Sequence, residues 1–169
     1  MKHFPRLLGL FLFCASASVP AANSGPAPSP SPSPNPATTA APARDNLAAA
    51  RGLIAAKRWA AAIEELKRVN ATDNADWNNL MGYSHRKATT PDLPAAERYY
   101  EAALRLQPQH RGALEYSGEL FLMLGNLPRA EERLAQLDKA CRLPCEEYTD
   151  LKNAVARFKA NGNRYVAEP

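Results

Sequence analysis

Residues 118–137, GELFLMLGNLPRAEERLAQL, decide how the rest of the chain is read. Gly118 leads into an apolar run, Leu120-Phe121-Leu122-Met123-Leu124, and Gly125-Asn126 closes it as a stop-and-turn pair. Leu127, Ala130, Leu134 and Leu137 then recur at spacings of 3, 4 and 3, one face of a helix of period 3.6. Pro128 falls in the first turn of that second helix, where a missing N–H costs nothing. The stretch predicts a helical hairpin. One hairpin cannot bury its apolar face alone, so copies of it are expected elsewhere.

The copies are found by counting. Ala62, Ala96 and Ala130 sit 34 residues apart at the same point of similar second helices. Four residues before each lie Arg58, Asp92 and Asn126, all compatible with a turn, and three before lie Trp59, Leu93 and Leu127. Four after each come Leu66, Tyr100 and Leu134, and seven after come Val69, Ala103 and Leu137. Twelve before each are the small residues Ala50, Ser84 and Gly118. A small residue on one helix and an alanine on the other let the pair approach closely. Trp59, Leu66, Tyr100, Phe121 and Leu134 are large enough to fill the space between hairpins.

Taken together, these positions resemble the tetratricopeptide repeat: a small residue in the first helix, a large one at the turn, then Ala and an aromatic or Leu in the second helix. Pro108 matches the repeat's terminal proline, where Asn74 and Arg142 stand in the other copies. In the middle copy Trp77-Asn78-Asn79-Leu80-Met81-Gly82 resembles the family's first-helix opening, three residues early by strict counting, and Thr89-Thr90-Pro91 lengthens the following turn. The first copy lacks a bulky opening residue at Asn46-Leu47-Ala48. The resemblance spans residues 45–142. It implies an all-α fold: three antiparallel helix-pair repeats stacked as a short right-handed solenoid. Helices are expected at 46–57, 60–70, 75–88, 94–106, 110–124, 128–140 and 146–160. The last carries Tyr148, Leu151, Val155 and Phe158 on one face and is expected to cap the stack over residues 143–161. Asn161-Gly162-Asn163 stops it, leaving 162–169 as a loose tail.

Upstream the composition changes. Lys2 and Arg6 precede the apolar run Leu7–Ala17, which is too short to span a bilayer. Small residues follow, and cleavage is expected after Ala17, Ala21 or Ala22, the last two favoured, so 1–22 reads as a secretory signal of bacterial type that leaves no membrane span once cleaved; an uncleaved anchor is the alternative. Cys14 raises a lipoprotein alternative, but Phe13 is too bulky for that signal. Residues 23–44 form a Pro/Ala/Ser-rich linker centred on Pro26-Ala27-Pro28-Ser29-Pro30-Ser31-Pro32-Ser33-Pro34, expected to be disordered and extended. It reads as a tolerated leader, a spacer or a ligand for a proline-reading module.

The net charge of +4 sits mostly in this leader; from Asp45 onward there are 18 basic against 17 acidic residues. That balance argues against a nucleic-acid-binding surface. After cleavage Cys141 and Cys145 are the remaining cysteines. In the periplasm, the expected compartment, such a pair reads first as a disulfide, with free thiols and metal binding as alternatives. His85 and His110 have no nucleophile at a recognisable spacing, and Glu64-Glu65, Glu131-Glu132 and Glu146-Glu147 read as solvated pairs. No cofactor and no catalysis are expected. In tetratricopeptide proteins the first helices line a concave groove that binds a peptide or protein. Carried over by position, the groove here consists of Arg51, Asn78, Met81, His85, Glu115, Glu119 and Leu122, without the family's carboxylate-gripping Lys and Asn pattern. The expected function is a protein-interaction module, an adaptor or scaffold. The alternative is a thiol-redox or metal-handling accessory protein using Cys141 and Cys145.

Overall fold

The computed structural model describes residues 45–143 and 145–166. The expected signal segment and linker lie outside these residues, as do Pro144 and the last three residues of the expected tail. Seven helices and no strand occur among the described residues: α1 (Ala48–Ala55), α2 (Trp59–Val69), α3 (Ala75–Lys87), α4 (Leu93–Leu106), α5 (Arg111–Met123), α6 (Leu127–Ala140) and α7 (Glu146–Ala160). Every helix expected from the sequence is present, with ends within two residues of expectation. None is long and apolar enough to cross a membrane.

Consecutive helices pack on one another. The odd-numbered helices also touch, α1 with α3, α3 with α5 and α5 with α7. The even-numbered helices α4 and α6 meet only through long side chains. Arg129 pairs with Glu97 at 2.5 Å and with Glu101 at 3.1 Å, and Arg133 pairs with Glu101 at 2.6 Å.

The ends of the helices show the repeat in hydrogen bonds. After α5 the Gly125 N–H donates to the Leu122 carbonyl and the Asn126 N–H to that of Phe121. After α1, 68 residues earlier, Lys57 donates to Ile54 and Arg58 to Leu53. Both are the paired bonds of a helix stop whose first residue is left-handed, with φ of 72° at Gly125 and 54° at Lys57. Asp92 and Asn126, 34 residues apart, cap α4 and α6 by accepting from Ala95 N–H at 2.9 Å and Arg129 N–H at 3.2 Å.

The end of α3 differs. Pro91 stands where the left-handed residue would be, its ring fixes φ negative, and the chain closes instead through Asp92 N–H to His85 C=O at 3.1 Å. That loop is two residues longer. The caps of α3 and α5, Asn74 and His110, are accordingly 36 residues apart and not 34. The small residue of α3 equivalent to Gly118 is therefore Gly82, not the expected Ser84. Gly82 faces the Tyr100 ring so closely that an added Cβ would lie 2.7 Å from it. Ser84 is fully buried as well.

The core lies between the layers. Ala103, Leu114, Phe121, Leu122, Ala130 and Leu137 join Leu151, Val155 and Phe158 of α7 in its largest part. Leu47, Ala50, Leu66, Trp77 and Met81 form a second cluster. The Trp77 indole donates to the Leu66 carbonyl at 2.7 Å, satisfying the end of α2 inside the protein. Leu66, Tyr100 and Phe121 are buried as expected, whereas Trp59 and Leu134 are half-buried.

Candidate functional site

Two stripes of half-exposed or exposed residues run along neighbouring odd helices. On α3 they are Asp76, Leu80, Tyr83 and Lys87; on α5 they are Gly112, Tyr116, Glu119 and Met123. Each stripe has spacings of 4, 3 and 4, one face of a helix, and the two are related by the 36-residue offset of the caps. Arg51 of α1 is exposed and joins them through an ion pair to Asp76 at 3.2 Å. The Tyr83 and Tyr116 rings meet at 4.6 Å between centroids. Together the stripes make a surface of mixed aromatic and charged character.

Arg86 lies beneath this surface and ties it together. Only 4% exposed, it pairs with Glu119 at 2.6 Å. Its guanidinium also lies 5.5 Å and 5.6 Å from the centroids of the Tyr83 and Tyr116 rings, and its Nε meets the Tyr100 hydroxyl at 3.4 Å. Burial disfavours the Arg86 charge, but the fields of Tyr100 and Glu119 outweigh it and hold the proton more firmly than usual. Burial also pushes the Tyr100 and Tyr116 phenols up. A guanidinium set against two neighbouring aromatic rings and held by a carboxylate is fixed in orientation.

At the start of α5, His110 serves two purposes. Its Nδ1 accepts from the Ala113 N–H at 3.1 Å, capping the helix, and its Nε2 lies 2.9 Å from Asp76 Oδ1. Burial works to raise the Asp76 carboxyl, but hydrogen bonds from His110 and Arg51 prevail and hold it below its ordinary value. Both histidines thus have structural surroundings. His85 stacks on Tyr99 of α4 at 5.5 Å, and its burial holds the imidazole below the usual value.

The expected groove residues separate into two groups. Arg51 and Glu119 lie on the exposed face. Met81 and Leu122 are 0% and 1% exposed, and both belong to the core. Asn78 is buried, with its amide donating to the Thr72 and Asn74 carbonyls at 2.9 Å each. His85 faces α4. Glu115 is buried on the side of α5 that feels Glu147 and Asp150 of α7; burial first, then Glu119 and those two acids, push its carboxyl up to about 8. On α3 the reason for the difference is the two-residue register: counting in strict thirty-fours turns the helix by more than half a revolution. Tyr83 and Arg86 were missed for that reason, although the short spacing from Asn74 to Trp77, a cap followed by an aromatic, carried the correct register; Tyr116 of α5 was missed without a register error.

Cys141 and Cys145 stand as a disulfide, with Sγ–Sγ 2.04 Å and Cα–Cα 5.9 Å, across the joint between α6 and α7. The joint opens to solvent beside Arg111, Arg142 and Glu147. Among the described residues no three His, Cys, Asp or Glu side chains converge on a point where a metal ion could be held. Comparison of the chain with protein-family models, with curated proteins and with solved structures finds no match.

Proposed function

We propose that this chain is an exported helical-repeat adaptor of tetratricopeptide type. Its repeats form a short right-handed solenoid, and it binds a protein or peptide on the face made by α1, α3 and α5. The observation that carries this reading is the paired stripe Asp76-Leu80-Tyr83-Lys87 and Gly112-Tyr116-Glu119-Met123, held by the buried Arg86. The chain commits two half-exposed tyrosine rings to an outward face and fixes them on a buried guanidinium. Aromatic groups of this kind are among the residue types that anchor protein interfaces. The contact of odd helices with odd helices, while α4 and α6 reach each other only by side chains, supports a stack curved toward that face. The N-terminal segment, read as a cleaved signal, supports action in the periplasm, with the Pro/Ala/Ser-rich stretch as a spacer.

The test places a photo-reactive amino acid at Tyr83 or Lys87, on the odd-helix face, and at Arg98 on α4 in a separate chain. Crosslinking in cells should give a discrete adduct from the first two positions and none from Arg98. Equal yields from both faces, or no adduct from either of the first two, would reject the reading. A thiol-redox role has one observation in its favour: the disulfide sits at an open joint and Cys145 begins α7, where a thiolate is stabilised. It predicts that glutathione thiolate attacks Cys141 Sγ and releases the Cys145 thiolate, and that a Cys145→Ser chain given oxidised glutathione accumulates the Cys141–glutathione mixed disulfide that the intact chain resolves.

A further inference from the structure

The end of α7 is a built turn. Gly162 N–H donates to Lys159 C=O at 3.1 Å and Asn163 N–H to Phe158 C=O at 3.0 Å. Both residues are left-handed, with φ of 67° and 59°. This stop redirects the chain sharply at the helix end. Tyr165 and Val166 then lie with Glu119 of α5 and with Ala154, Arg157 and Phe158 of α7. The cavity between them is only ≈ 20 Å³, so tail and helices fit closely. Phe158 and Ala154 supply an apolar floor, while Glu119 and Arg157 supply polar walls. Glu119 is the stripe residue that holds Arg86, and the Tyr165 phenol contributes to the field around that same guanidinium.

We infer that the α5–α7 end of the odd-helix face is a seat for a non-helical segment carrying an aromatic residue followed by a β-branched one, and that the chain's own Tyr165–Val166 occupies it. The occupant is held lightly: Tyr165 is 37% exposed and Val166 58% exposed. A tail joined by so short a connection is present at an effective concentration of about millimolar, so even a weak seat stays filled in the isolated chain. A partner reaching Glu119 must displace it. That competition rests on the partner-binding reading; the seat itself does not.

The test uses a fluorescent peptide of residues 161–169 as probe. It is titrated to about 5 mM, a few times the expected effective concentration, against the full chain and against a chain ending at Asn163. The shortened chain should bind the peptide about tenfold more tightly than the full chain, and a peptide with Tyr165→Ala and Val166→Ala should lose that binding. Amide resonances of Glu119 and Ala154 should shift on removal of the tail and return when the peptide is added. Equal affinity for both chains, or no binding to the shortened chain, overturns the seat. Circular dichroism of the shortened chain checks that α7 is intact, and because no partner enters the assay, failure of the adaptor reading leaves its outcome unchanged.

Discussion

At the scale of single residues, two of the helical glycines, Gly82 and Gly118, distinguish close approach from mere smallness. A Cβ on Gly82 would lie 2.7 Å from two carbons of the Tyr100 ring, and one on Gly118 would lie 2.5 Å and 2.7 Å from the methyls of Leu151. Alanine gains about 1 kcal/mol of helix propensity at either site. The Tyr100 ring is rigid, fully buried and within reach of Arg86, so it cannot turn aside, whereas the Leu151 methyls can change rotamer. Gly82→Ala should therefore destabilise by about 1–3 kcal/mol in urea unfolding, and Gly118→Ala by less. Glu115 makes a different prediction. Its proton is retained in the folded chain over a pH range where the unfolded chain, with an ordinary value of 4.5, has already released it. This stabilisation is full below about 4.5 and is lost as pH rises through about 8. Stability should fall by roughly 3–5 kcal/mol across that window, and Glu115→Gln should flatten the slope. An unchanged slope in the variant would assign the pH dependence elsewhere.

At the scale of elements, the sequence declared which segments are helical because they repeat apolar residues at helical spacing, and α3, α4, α5 and α6 also begin with the capping side chains Asn74, Asp92, His110 and Asn126. The register of α3 was less legible. Alanines 62, 96 and 130 stay 34 apart because two changes cancel: Asn74 to Ala96 is two residues longer than His110 to Ala130, and Ala62 to Asn74 is two shorter than Ala96 to His110. Residues of α3 lie between those two changes, so they alone fall out of the count. A sequence reader can see Thr89-Thr90-Pro91 as a longer turn, but its length in hydrogen bonds depends on where Asp92 closes back to His85. Arg86 was unreadable for a second reason. A charged residue four positions from Gly82 reads as surface, and only the arrival of Tyr100, Tyr116 and Glu119 from other helices makes burial tolerable. Because α3, α4 and α5 all converge on it, Arg86→Ala should cost about 3–5 kcal/mol, much of it from leaving Glu119 and the tyrosines without their cation. Asp92→Ala acts on one helix end alone and should cost about 1 kcal/mol. Chemical unfolding of the two variants side by side separates a junction from a cap.

At the scale of the whole molecule, the helices end on a covered apolar face. If the hairpins stack as proposed, the last one must be covered by something that is not a repeat. Here α7 does this with Leu151, Val155 and Phe158, which lie 0%, 5% and 3% exposed over Phe121, Leu137 and their neighbours. The disulfide fixes where the cap begins but closes too short a loop to supply much unfolded-state entropy, about 2 kcal/mol at most. Reduction should therefore lower the melting temperature modestly and leave the helix content intact. Loss of packing should matter more. Leu151 is fully buried and touches the Gly118 position, so Leu151→Ala leaves a cavity between cap and last repeat and should cost about 2–5 kcal/mol. Two outcomes differ in kind. If α7 is an integral cap, Leu151→Ala lowers a single cooperative unfolding transition and amide exchange speeds up throughout α5 and α6. If α7 were only an attached helix, its own amides would lose protection while those of Leu114, Phe121 and Leu137 kept theirs. Hydrogen exchange across α5, α6 and α7 in the oxidised and reduced variant decides between them, and the shared burial of Gly118 and Leu151 requires the first.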